Sequence, residues 1–165
     1  MKEKQNELLI IELRINLKEK IMTINQISIF IENKSGTLIK VLQQLKEAKI
    51  QIVASTIADT TDYGIYRIIC SEPERAVKML REAGIQANLT EVFALRLDNK
   101  PGCAADAISR IHSAGINISY LYSFLLDGRG ILIFRTNQPE LTKETIFLNN
   151  MDFIREEELA KSIEK

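Results

Sequence analysis

The 165-residue chain carries one histidine, His112, and two cysteines, Cys70 and Cys103. An imidazole titrates near neutral pH and can relay protons. His112 lies one turn after Ile108 in a helical pattern, however, and a surface or helix-contact role fits it better than that of a general base. Cys103 follows Gly102 at a predicted helix start, where the helix dipole favours thiolate chemistry. Its counterpart in the repeat described below is Thr37, which points to a small polar residue more than to a nucleophile, and a Cys103 thiol enzyme stays as a rival reading. The two cysteines form no Cys-x-x-Cys and join no His/Cys cluster, so neither a disulfide framework nor a zinc site is indicated. Two free thiols suit a reducing cytoplasm. With no P-loop, dinucleotide fingerprint or paired carboxylates with a partner base, the reading is a non-enzyme without cofactor or metal.

What remains is a turn that occurs twice, Asn33-Lys34-Ser35-Gly36 and Asn99-Lys100-Pro101-Gly102, each just before a predicted helix. Glycine permits close backbone approach, the first-turn N–H groups attract a carboxylate, and an Asn amide both donates and accepts. Such a turn can hold the ammonium and carboxylate of an α-amino acid. Equally, Asn33 and Asn99 can simply cap the turn, and spacing alone leaves both options open.

The elements that must position this turn come from a repeat. A shift of 66 positions without a gap pairs Asn33 with Asn99, Lys34 with Lys100, Gly36 with Gly102, Ala48 with Ala114, Ile50 with Ile116 and Ile52 with Ile118; it also pairs Gly64 with Gly130, Ile65 with Ile131, Pro73 with Pro139 and Glu74 with Glu140. The coincidence of Gly, Pro and Asn means shared turns, hence shared topology. In the first copy, residues 26–32 alternate as a strand, Leu38, Val41, Leu42 and Leu45 recur at helical spacing, and residues 51–59 and 63–70 form a hairpin around Thr60-Thr61-Asp62. Pro73 opens a second helix with Ala76, Val77 and Leu80 on one face, and a further strand begins near Ile85. The order βαββαβ is the ferredoxin-like arrangement, an α+β fold with an antiparallel sheet and both helices on one face.

Residues 1–21 fall outside the repeat and alternate in a way that suits an added edge strand or a frayed helix; natural translation starting at Met22 is one hypothesis for them. The first unit is then placed at 22–90 and the second at 91–165, ending in a charged terminal helix. Between the copies, Leu38 and Val41 become Ala104 and Ala107 while Ala54 and Thr56 become Tyr120 and Tyr122. Dense packing requires a smaller helix to meet a larger strand, so these strand positions are expected beneath the first helix of each unit. The same parity places Tyr66, Ile68 and Cys70, with Leu132, Phe134 and Thr136, under the helices. It sends Arg67, Arg96 and Arg135, with Phe30, Ile65 and Ile131, to an open face that is solvated or meets a partner.

Bulk composition narrows the partners. Lys and Arg total 22 against 22 for Asp and Glu, so no general attraction draws the chain to nucleic acid or an acidic membrane. The longest apolar runs, Leu8 to Ile11 among them, are far short of the roughly 18 residues of a spanning helix.

The loop Glu32-Asn33-Lys34-Ser35-Gly36-Thr37-Leu38 and its copy Asp98-Asn99-Lys100-Pro101-Gly102 resemble the strand-to-helix loop of ACT domains, and the doubled βαββαβ pattern resembles stand-alone tandem ACT proteins. The resemblance implies two ACT units paired side by side, non-catalytic, with an amino-acid effector bound between the first loop of one unit and the second strand of the other. One implied pocket uses Asn33, Ser35, Gly36, Thr37 and Leu38 against Tyr122 and Ser123; the other uses Asn99, Gly102, Cys103 and Ala104 against Ser55, Thr56 and Ile57. Ser35 departs from the family's usual Pro and Ala104 from its usual Leu, so the pockets are expected to differ, with that of Asn33 and Tyr122 favoured. A homodimer and a regulated enzyme of amino-acid metabolism follow from the same resemblance. The alternative is a protein–protein interaction module with degenerate pockets, supported by the Arg67 and Arg135 face.

Overall fold

The computed structural model describes residue 5 and residues 22–163; the expectations for residues 1–21 lie outside the described residues. The described elements are β1 (Thr23–Glu32), α1 (Thr37–Glu47), β2 (Ile52–Asp59), β3 (Tyr63–Cys70), α2 (Pro73–Glu82), β4 (Ala87–Leu97), α3 (Cys103–Ser113), β5 (Ile118–Leu126), β6 (Arg129–Thr136), α4 (Pro139–Leu148) and α5 (Glu156–Ile163). No described helix is long and apolar enough to cross a membrane. The chain divides into two compact units: residues 25–92 with 156–163, called here the first unit, and residues 22–24 with 93–155, the second.

In the first unit the strand order is β2-β3-β1-β4, with antiparallel registers pairing Ile29 with Tyr66 and Ile57 with Tyr66 across β3. The helices form because apolar residues recur every three to four positions: α1 buries Val41 and Leu45, and α2, opened by Pro73, buries Ala76, Val77 and Leu80. Both pack on the sheet face of Ile27, Ile29, Tyr66, Ile68 and Cys70. Burying each such side chain contributes about 1.5–3 kcal/mol. Helix α1 stops where Lys49 takes a left-handed φ of 57° and the Ile50 N–H returns to the Leu45 carbonyl.

The second unit repeats the pattern. Its strand order is β4-β6-β5, and its last strand is the short stretch Asp152 to Ile154: Leu95 bridges Phe153, the Arg96 N–H donates to the Asp152 carbonyl at 2.7 Å, and the Ile154 N–H to Ala94 at 2.8 Å. Ala107, Ile111 and Ile146 of its helices pack on Phe93, Leu95, Leu132 and Phe134, where the Phe93 and Phe134 rings lie 5.5 Å apart. Each unit therefore has the βαββαβ order and one-sided helices expected from the repeat.

One expectation is corrected. Ala54 and Thr56, with Tyr120 and Tyr122, do not lie beneath the helices. Ile52 faces Cys70, but the next pairing sets Ala54 against Ile69, and in the second unit Ile118 faces Thr136 while Tyr120 faces Arg135. Val53 and Ser119 are extra residues at a β-bulge, and one extra residue exchanges every later side chain between faces. Ser55 and Ile57, with Leu121, Ser123 and Leu125, take the helix side instead. The face opposite the helices is likewise not open throughout. Phe30 is exposed and its ring contacts Tyr63 at 5.1 Å, but Ile131 and Ile133 are buried, with 1% and 0% of their surface accessible. So aliphatic a surface is costly to leave in water.

Candidate functional site

In both units the strand-to-helix turn has the same backbone. Gly36 and Gly102 occupy the N-cap positions with φ of 91° and 92°, a left-handed conformation in which a Cβ is strained, and no side chain caps either helix. The first N–H of each helix, of Thr37 and of Cys103, bonds back to the Lys34 or Lys100 carbonyl, and the next two stay open to an acceptor from outside. Lys34 and Lys100 close the same tight bend, donating to the Glu32 and Asp98 carbonyls at 2.8 Å.

Side chains then make the two turns different. In the first unit Thr37 Oγ1 lies 2.7 Å from the Glu32 carbonyl and 2.8 Å from that of Lys34, so the loop satisfies itself. The Asn33 N–H donates to Asp62 at 2.9 Å and its amide Nδ2 to Thr61 at 3.4 Å, joining the loop to the β2–β3 turn. The Lys34 ammonium pairs with Glu32 at 2.6 Å; its hydrogen bond and charge hold the Glu32 carboxyl below the usual range, and Glu32 raises the Lys34 ammonium in return. Ser35 and Gly36 are exposed, and Leu38 packs against the unit's core. On β2, Ser55 stands opposite Ile68 on the helix side and Thr56 opposite Arg67 on the other.

In the second unit Cys103 replaces Thr37 and makes no comparable side-chain bond among the described residues. The β5–β6 turn is only Asp127-Gly128, with φ of 50° and 74°, one residue shorter than Thr60-Thr61-Asp62. Asn99 bonds to none of it among the described residues. The result is a cleft of about 310 Å³ between the loop and the edge of β5, whose walls include Asn99, Lys100, Cys103, Ala104, Ser123 and Leu125. Ser123 reaches it because the bulge turned it to the helix side, opposite Leu132. Tyr122, opposite Ile133, is on the other face. Arg129 braces the loop from behind, its Nη2 3.1 Å from Asp98 Oδ1 and its Nε donating to the Leu97 carbonyl at 3.4 Å.

The structure thus brings Asn99, Cys103, Ala104 and Ser123 together, beside Gly102, and leaves Asn33, Gly36 and Thr37 in a loop closed on itself. Asp98 and Lys100, part of the repeated loop but not named as site residues, also line the cleft, as does Leu125, which did not stand out in sequence; Arg129 sits at the repeat position of Tyr63, and that change from aromatic to cation opposite an acid was the available signal. Among the described residues no group of His, Cys, Asp and Glu is placed to hold a metal ion.

A family model described as an ACT domain pair matches residues 22–163. Among solved structures, protein BT0572 from Bacteroides thetaiotaomicron is 32% identical, with 86% of this chain and 98% of that chain covered and a TM-score of 0.81. The ligand-free regulatory subunit of aspartate kinase from Thermus thermophilus is 18% identical over 78% of this chain and 93% of that one, with a TM-score of 0.54, a likeness of fold. No curated protein matches the chain.

Proposed function

The chain belongs to the ACT domain pair family, and from that premise we propose that it is a regulatory protein that senses a free amino acid at the strand-to-helix loop of its second unit. The observation that supports this reading is the cleft against Asn99, Cys103 and Ser123, which at about 310 Å³ stands at the small end of ligand sites. An uncapped helix start suits the α-carboxylate, and the Lys100 ammonium adds positive charge beside it. Loop carbonyls and the Ser123 hydroxyl suit the ammonium.

Binding acts as a population shift: the ligand favours the conformation in which loop and β5 edge are held together, and a partner reads that conformation. The partner we propose is an enzyme of amino-acid metabolism; a regulatory subunit of aspartate kinase uses this fold. We place the protein in the cytoplasm, in line with its two free thiols, and as a homodimer, as its likeness to ACT proteins implies.

The test is a thermal-shift panel of the twenty amino acids on the full chain. A ligand at 100 times its Kd adds about 2.7 kcal/mol, a rise of roughly 5–10 °C for a protein of this size. One clear riser that is lost in Asn99→Ala supports the reading; a flat panel overturns it.

A further inference from the structure

We infer that each chain holds one amino-acid site, at the second loop alone, and that this site selects an aliphatic side chain; the inference rests on the function proposed above. The argument begins with two carbonyls. In the first unit the Glu32 and Lys34 carbonyls converge on the Thr37 hydroxyl at 2.7 and 2.8 Å. Their repeat counterparts are the carbonyls of Asp98 and Lys100, and the residue at the position of Thr37 is Cys103, whose thiol is a weak donor. They accept backbone N–H groups from Lys100 at 2.8 Å and Cys103 at 3.4 Å, and a carbonyl oxygen has a second lone pair to offer. A ligand ammonium at the mouth of this loop supplies the donor that Thr37 supplies internally in the first unit. The first loop therefore carries its own occupant, and the second waits for one.

The same comparison sets the side chain. Where the first unit has Leu38, packed on its core, the second has Ala104, which clears space beside the helix start. Where β2 ends with exposed Ile57 and the carboxylate of Asp59, β5 offers the Ser123 hydroxyl and then Leu125. Asp98, Asn99 and Lys100 come from the loop, while Leu97, Leu132 and the exposed Leu125 are aliphatic residues of the lining. A ligand anchored by its ammonium and carboxylate at the loop sets its side chain against that aliphatic lining, where an aliphatic side chain gains apolar contact and a charged one gains none.

Isothermal titration calorimetry of the full chain with L-leucine, L-serine and L-aspartate tests this. The expected result is one leucine per chain, and affinity for leucine at least about tenfold above that for serine or aspartate. Ala104→Leu, which fills the cleft, and Cys103→Thr, which returns a hydroxyl to the loop, each weaken leucine binding by about tenfold or more. Asn33→Ala in the first loop leaves it within about twofold. Circular dichroism and thermal melting establish that each variant is folded, and either second-loop variant alone suffices. Two leucines per chain, serine or aspartate preferred over leucine, binding indifferent to a folded Ala104→Leu or Cys103→Thr, or binding lost in Asn33→Ala would overturn the inference while leaving an amino-acid sensor intact. If none of the twenty amino acids binds, the proposed function itself falls.

Discussion

Glu156 Oε2 accepts a hydrogen bond from the backbone N–H of Asn25 at 2.8 Å, fastening the first residue of α5 to the start of β1. Burial pushes the Glu156 carboxyl above its usual range and the nearby Glu74 and Glu91 carboxylates add to the rise, while the bonds from Asn25 oppose it. A carboxyl raised in the folded state takes up a proton on folding over the interval between its ordinary and its raised pKa. Within that interval the folded chain therefore gains stability as pH falls, and above it this contribution is flat. Urea denaturation between pH 7 and pH 4.5 is expected to show the gain in the native chain and a smaller one in Glu156→Gln, which keeps an acceptor for Asn25. Glu156→Ala, which removes the acceptor as well, should cost about 1 kcal/mol more than Glu156→Gln. Identical pH slopes in native chain and Glu156→Gln would refute this assignment.

The two thiols should react very differently. Cys70 is buried in the first unit's core, and burial pushes its thiol up to about 11. At pH 8 it is almost wholly protonated and shielded, and the thiolate is the reactive form. Cys103 is half-exposed on the cleft wall. Iodoacetamide applied to native protein should modify the peptide containing Cys103 and leave Cys70 untouched until the chain is denatured, as read by peptide mass. A saturating amino-acid effector should slow the Cys103 reaction, and unchanged kinetics would place the ligand elsewhere.

Lys49 and Gly115 occupy the same position after α1 and α3, with φ of 57° and 76°. Only the glycine takes that conformation without strain. Lys49→Gly is expected to stabilise the chain by about 0.5–1 kcal/mol, because relief of the left-handed backbone exceeds the added freedom of the unfolded chain. Denaturant titration would decide it, and a loss of stability would mean that the lysine stem contributes more by packing than its backbone costs.

Thr136 and Thr142 share a buried hydroxyl contact of 2.8 Å, and Thr142 lies 2.7 Å from the Gln138 carbonyl. Thr142→Val keeps the shape but leaves Thr136 without this partner. The expected cost is about 1–3 kcal/mol, the penalty for stranding a buried polar group. A melting curve within about 1 °C of the native one would show that Thr136 finds another partner.

The fold was legible because its punctuation is chemical. Gly36 and Gly102 must be glycine to hold their φ, and Pro73 and Pro139 suit a helix's first turn, so a shift of 66 aligned these residues before any strand was assigned. The faces of β2 and β5 were not legible. Nothing in Ile52-Val53-Ala54 or Ile118-Ser119-Tyr120 marks a bulge, since an extra residue changes parity without changing composition. That slip exchanges Tyr122 and Ser123 between the faces that strict alternation assigns them. The difference between the loops was half visible, as Thr37 against Cys103, whereas the shorter β5–β6 turn shows only in where the strand ends. What the Thr37 hydroxyl does depends on where two carbonyls converge, and only three dimensions show that.

Residues 156–163 belong with residues 25–92, on the far side in sequence of nearly everything in the second unit. Ribosomes emit chains from the N-terminus, and domains ordinarily fold in that order. Here the first repeat to emerge is the last unit to be completed. Its α5, with the Glu156 anchor, arrives only after every strand and helix of the second unit has been made. A chain ending before residue 156 would thus hold every described residue of the second unit and lack part of the first.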